Sequence, residues 1–224
     1  MSSERPALVV FDMAGTTLND DGGIVNQALR EALSAAAVYV TSEAVNEVMG
    51  LPKPVAIGSL LGISESAERT LEIHRDFLAR MLRFYAEDPS VAEVQGTSLV
   101  LIQLRAAGIK VALDTGFSRD LVEVIVDRLG WRTLLDGFIA SDEVERGRPH
   151  PDMINALCKH MGITNPKAVA KIGDTPSDLQ EGTAAGCGWV IGVTLGSHTA
   201  EQLAPYPHTH LIPSVTALPA LFGL

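Results

Sequence analysis

The stretch LVVFDMAGTT, residues 8–17, decides how the rest of the chain is read. Apolar residues run straight into Asp12, and a Gly-Thr-Thr turn follows. A short, continuous apolar run reads as a strand buried on both faces. A carboxylate at the mouth of such a strand is a candidate nucleophile or metal ligand. Two further runs have the same form, IKVALDTG (109–116) and AVAKIGDT (168–175), and GWVIGVTLG (188–196) follows them. Helical patterns lie between, over 96–108, 118–131 and 151–162, with Gly108, Gly130 and Gly162 where C-caps belong. This alternation predicts an α/β fold, a Rossmann-like doubly wound parallel sheet. Ligands in such sheets bind at the carboxyl ends of the strands, where Asp12, Thr115 and Asp174 fall.

Residues 20–94 break the alternation. NQALREALSAAAVYV (26–40) and SAERTLEIHRDFLARMLRFYAED (66–88) read as amphipathic helices with no strong strand between them. In the second, Leu71, Phe77, Leu78, Met81, Leu82 and Tyr85 are expected on one packed face. NDDGG (19–23) and EDPSVAEVQG (87–96) read as linkers. The expected organisation is a discontinuous α/β core, 1–19 and 95–224, with a small α-helical cap domain, 20–94, inserted into it. A cap hinged over the strand ends would close on substrate and exclude water.

The 224 residues carry 27 acidic and 17 basic side chains, a net charge of −10. That balance disfavours nucleic acid or an anionic membrane as partner. It leaves room for a small anionic substrate met by a few local cations or one metal ion. Cys158 and Cys187 do not make a disulfide framework. No basic, apolar leader and no run of about eighteen apolar residues is found. The expectation is a cytoplasmic protein with a small-molecule partner. No stripe singles out a dimer interface, so a homodimer stays an open alternative.

The strand-end groups make sense together. Transfer of a phosphoryl group to a carboxylate needs an ionised nucleophile beside a dianion. Asp12 and Asp174 can hold Mg²⁺, which takes one or two carboxylates plus water and substrate oxygens. Thr115 and the Gly116 N–H can hold phosphoryl oxygens, and Arg148, in GRPHPDM, can balance the accumulated charge. Singly, each has a plainer use: an Asp after a strand often serves a turn, and Thr115 could cap the next helix.

These segments resemble the haloacid dehalogenase superfamily of hydrolases. DMAGTT, DTG, the basic residue of GRP and GDTPSD match its four motifs in order. The match is strongest to the phosphonatase-like branch. Ala14 stands where most members have Asp, Arg148 stands where most have Lys, and Lys53 in MGLPKP (49–54) stands where phosphonatases carry a Schiff-base lysine. The resemblance implies that Asp12 attacks phosphorus and that Lys53 forms an imine with a substrate carbonyl. It implies Mg²⁺ on Asp12, the main-chain carbonyl of Ala14 and Asp174, with Asp178 supporting that site. It places Thr16, Met49, Lys53, Thr115, Gly116 and Arg148 around the substrate.

Ala14 and Lys53 account for each other chemically. In phosphatases of this type the second Asp protonates a departing alkoxide. A carbanion leaving from phosphorus needs an electron sink instead, and an iminium supplies one. The expected substrate is a carbonyl phosphonate, phosphonoacetaldehyde or a close relative. The alternatives are a phosphomonoesterase of the phosphoglycolate-phosphatase type and a non-catalytic binding protein on the same fold. Phosphonatases typically carry a histidine three residues after the lysine. Here that residue is Ala56, with His74 and His150 as the nearest candidates to replace it.

Overall fold

The computed structural model describes residues 5–20 and 22–224. Residues 1–4 of the expected core and Asp21 of the expected first linker lie outside them. The first strand, β1, is Leu8–Phe11, buried throughout. Helices α1 (Ile24–Ala35), α2 (Ser42–Asn46), α3 (Lys53–Leu61) and α4 (Glu68–Glu87) follow without an intervening strand. Then come α5 (Thr97–Ala106), β2 (Lys110–Thr115), α6 (Arg119–Arg128), β3 (Gly137–Ala140), α7 (Asp152–Met161), β4 (Val169–Gly173), α8 (Pro176–Ala184) and β5 (Trp189–Val193). The chain ends with α9 (Ala200–Leu203), β6 (His210–Ile212) and α10 (Leu218–Leu221).

The strands form one six-stranded parallel sheet in the order β3-β2-β1-β4-β5-β6. This is a Rossmann-like α/β sheet, with its direction of winding reversing between β1 and β4. Side chains alternate across it. Val9, Phe11, Val111, Leu113 and Ile172 join a core with α1, α4, α5 and α6, while Leu8, Val10, Ala112 and Val169 pack with α7 and α8 on the other face.

Helices α1 to α4 share the first of these cores. On α4 the buried face is Thr70, Ile73, Phe77, Met81 and Tyr85. Leu71, expected in that face, is 40% exposed, because the packed row runs at steps of three and four from Thr70. The outgoing and returning segments are tied together: Asn19 N–H donates to the Ala92 carbonyl (2.9 Å) and Val94 N–H to the Thr17 carbonyl (2.8 Å). No helix among the described residues is long and apolar enough to cross a membrane.

Candidate active site

Asp12 follows β1 directly and is 5% exposed. Because Phe11 pairs with both Leu113 and Ile172, Asp12 sits between the ends of β2 and β4. Its N–H donates to the Ile172 carbonyl (2.8 Å), which extends the ladder by one bond. The chain then turns sharply. The Met13 carbonyl accepts from the N–H groups of Thr16, Thr17 and Leu18, and Gly15 supplies a φ of 85°. This turn delivers the Thr16 hydroxyl to Asp174 Oδ1 at 3.0 Å.

Asp174 is held from the other side by Ser197, whose N–H and Oγ lie 2.6 and 2.7 Å from Oδ2. A Cβ on Gly15 or on Gly196 would overlap the Asp174 carboxylate, so glycine is required at both positions for the group to sit there. Among the described residues Asp174 has hydroxyl and amide partners but no ion pair. Burial, then the charge of Asp178, pushes its pKa up to about 6.

GDTPSD folds as a helix start. Thr175 caps α8 in a capping box with Asp178, and Pro176 takes the first turn. Asp178 Oδ2 accepts from the Thr175 hydroxyl (2.6 Å) and N–H (3.1 Å), which leaves Oδ1 facing inward. There it meets Arg148 Nη1 at 3.0 Å and Lys171 Nζ at 3.1 Å. Arg148 Nη1 also contacts Asp12 Oδ1 at 2.6 Å, and Nε contacts Glu181 at 3.1 Å. Asp114 pairs with both Arg148 and Lys171.

Four carboxylates therefore surround two cations, all buried. Burial would raise the Asp114 carboxyl, but Arg148 and Lys171 outweigh it and hold it below its usual value. Burial, then the Asp114 charge, drives Glu181 the opposite way, well above its usual value. Asp12 is raised to about 7, by burial more than Arg148 lowers it, and by Asp178 and Asp174.

Asp12, Asp114 and Asp178 bring carboxylate oxygens within 4.8 Å of one another, close enough to hold a metal ion. This is not the set read from the motifs, which joined Asp12 to Asp174. The two sets differ in charge. Asp114 and Asp178 already contact Arg148 and Lys171, so a divalent cation among them would lie against two fixed positive charges. Asp174 has no such partner. Asp174 does bear on Asp12 electrostatically, raising its pKa.

The segment MGLPKP reaches this site from the helical side. Pro52 caps α3, Lys53 is its first residue and Pro54 its second. Lys53 is 5% exposed, not a solvated loop lysine. Its Nζ lies 3.4 Å from the Leu51 carbonyl and 5.5 Å from the Phe117 ring centre. Burial lowers its pKa to about 8; Asp12 opposes this and Arg148 adds to it. Glycines permit the close approach. A Cβ on Gly116 would lie 2.6 Å from the Leu51 carbonyl oxygen, one on Gly147 would overlap the Pro52 ring, and one on Gly50 would overlap the Thr175 hydroxyl.

Thr115 is buried at the end of β2, its hydroxyl accepting from Phe117 N–H (3.2 Å). Met49 lines a polar cleft of about 1100 Å³ with Gly15, Gly196 and Ser197, the last three being the residues that enclose Asp174. A second cavity, about 420 Å³, is lined by Pro52, Gly116, His74 and Arg148. Ala56 is fully buried in α3. His74 is half-buried, its pKa lowered by burial and then by Lys53, and His150 is exposed.

Asp114, Lys171 and Glu181 were not singled out in the sequence. A signal was present: Asp114 and Lys171 interrupt apolar strands at positions that face α8, where Asp178 and Glu181 lie one helical turn apart.

The sequence profile of the haloacid dehalogenase-like hydrolases matches residues 6–186. A phosphonoacetaldehyde hydrolase of Bacillus cereus is 30% identical over 203 residues, covering 84% of this chain and 76% of the relative. A phosphonoacetaldehyde hydrolase-like protein from Oleispira antarctica superposes with a TM-score of 0.84 at 22% identity, covering 99% of this chain and 92% of that one. CbbY from Rhodobacter sphaeroides, solved with phosphate, superposes with a TM-score of 0.79 at 20% identity, covering 98% of this chain and all (100%) of that one. The chain belongs to the haloacid dehalogenase-like hydrolase family, is a hydrolase, and is similar to the family's phosphonoacetaldehyde hydrolases.

Proposed function

We propose that this hydrolase cleaves the carbon–phosphorus bond of a small carbonyl phosphonate, phosphonoacetaldehyde or a close relative. The observation that carries the reading is Lys53. A lysine buried at 5% exposure within the fields of Asp12 and Arg148, its pKa lowered to about 8, is about one-tenth neutral at pH 7, far more than a free lysine. A structural lysine has no need of that.

The sequence 20–94 acts as a cap. The chain leaving and re-entering the core is paired at Asn19–Ala92 and Thr17–Val94, which suits a hinge, and the Leu51–Lys53 segment lies on Gly116 and Gly147 of the core. Mg²⁺ is the cofactor, held by Asp12, the carbonyl of Ala14 and Asp174. Bound there it supplies the positive charge that lets an anionic phosphoryl group approach an anionic nucleophile.

The protein's own groups do the rest. Neutral Lys53 condenses with the carbonyl and the resulting iminium draws electrons from the carbon–phosphorus bond. Asp12 attacks phosphorus as that bond breaks, so the carbon leaves as an enamine rather than a carbanion. Arg148 favours the ionised form of Asp12 against burial and holds it in position, itself fixed by Asp114, Asp178 and Glu181. Thr115 and the Gly116 N–H take phosphoryl oxygens, and Thr16 and Met49 complete the surroundings of the substrate. Ala14 leaves no acid at the position where ester-cleaving relatives protonate an alkoxide.

A substrate panel tests this reading. Wild-type protein should turn over carbonyl phosphonates and treat simple phosphate esters poorly, and Lys53→Arg should abolish phosphonate turnover. Good turnover of phosphate esters that is indifferent to Lys53→Arg would identify a phosphomonoesterase of the phosphoglycolate-phosphatase type instead.

A further inference from the structure

Tyr85 lies near the end of α4 and is 1% exposed. Its ring packs against Phe84, with centroids 5.2 Å apart, and against Phe117, at 6.1 Å. Phe117 is also the ring over which Lys53 Nζ sits at 5.5 Å. Yet the Tyr85 hydroxyl is buried with no hydrogen-bond partner among the described residues. Buried hydroxyls are nearly always paired, because desolvating one without a partner is costly. Phenylalanine would fill the same apolar space without that cost. An orphaned hydroxyl in this position therefore points to a partner that arrives with the substrate.

Three observations say which part of the substrate that is. Tyr85 comes from the helical segment that also carries Lys53, and both side chains lie against the Phe117 ring. Asp12 and Asp20 bear on the hydroxyl electrostatically and, after burial, push its pKa well above the usual value, so it stays a neutral phenol and a donor. The phosphoryl end of the site has its own donors in Arg148, Thr115 and Gly116; toward Lys53, Ala56 offers no hydrogen bond, His150 is exposed and His74 is half-buried, its pKa lowered by burial and then by Lys53.

We propose that the Tyr85 hydroxyl is the donor for the substrate's carbonyl oxygen during attack by Lys53. This rests on the Schiff-base reading of Lys53. In the step, the Lys53 nitrogen lone pair forms a bond to the carbonyl carbon while the C=O π pair moves to oxygen. That oxygen takes the Tyr85 Oη proton as Oη takes one from the new ammonium nitrogen. The products are a neutral carbinolamine and an unchanged phenol, so protons and charge balance.

The test is the rate of borohydride capture of Lys53 with phosphonoacetaldehyde, in wild type and Tyr85→Phe, alongside inhibition by orthovanadate, which carries no carbonyl. Tyr85→Phe removes an unpaired hydroxyl, so its melting temperature should equal or exceed that of wild type. Capture should slow by about 100-fold, the scale of one positioned proton-transfer group, with vanadate inhibition unchanged. Capture of the variant at the wild-type rate would overturn the role of Tyr85 while leaving Lys53 as the imine-forming residue. Weakened vanadate inhibition would place the hydroxyl on the phosphoryl group and overturn the carbonyl assignment. Absence of capture in wild type would remove the Schiff-base reading itself, and the Tyr85 proposal with it.

Discussion

Lys53 has its ammonium desolvated at the first position of α3, and its pKa falls from 10.5 to about 8. The positive end of a helix dipole is also a poor place for a cation. The sign of the pH effect follows. Only the neutral amine attacks a carbonyl, so phosphonate turnover should climb as pH rises through about 8 and then level, while Lys53 protonation suppresses it below. A pH–rate profile of kcat/KM checks this, and a flat profile from pH 7 to 9 would contradict it. The same site has a structural counterpart in Lys171, fully buried among Asp114, Asp178 and Glu181. Removing one partner from a buried ion network leaves uncompensated charge. Lys171→Met should therefore cost about 3–5 kcal/mol of stability, measured by denaturant unfolding. Asp114 and Lys171 could not be paired from the sequence with Glu181, because only the register of β1, β2 and β4 and the seating of α8 bring them together.

At the scale of elements, the seam between the Leu51–Lys53 segment and the core depends on missing side chains. A Cβ on Gly147 overlaps the Pro52 ring, one residue from Lys53. Gly147→Ala should fold normally yet lower phosphonate kcat by about 100-fold, because a misplacement near 1 Å is enough for that; steady-state kinetics beside a melting curve check it. The four central strands were readable because each is a largely apolar, largely buried run, broken only by Lys110, Asp114 and Thr115 in β2 and Lys171 in β4. Edge strands β3 and β6 were not: they have four and three residues and are only partly buried, so they carry little apolar signal. α3 went unread: it is short, with Pro52 at its cap and Pro54 in its first turn, where proline suits a helix. The face of α4 was readable in outline, but Leu71 was misplaced because Thr70, a polar residue, takes the buried position beside it.

At the scale of the whole molecule, the sheet order places Asp12, Thr115 and Asp174 on adjacent strand ends, and the helices inserted after β1 bring Lys53 and Tyr85 over them. The proposed nucleophile, Asp12, and the proposed electron sink, Lys53, thus come from different parts of the chain, about forty residues of sequence apart. Among the described residues Asp174 has no cationic partner, so on the proposed reading Mg²⁺ should stabilise the fold as well as activate it. Saturation to 100 times Kd is worth about 2.7 kcal/mol, and chelation should abolish turnover and lower the melting temperature together. The motifs were legible because each falls in one short segment. The pairing of Ala14 with Lys53 was legible only as chemistry, and its geometry required the fold. The most direct measurement is borohydride reduction during turnover of phosphonoacetaldehyde, followed by peptide mass analysis. The account predicts a reduced adduct on Lys53 and loss of activity in step with it; an unmodified Lys53 in enzyme that keeps full activity would contradict it.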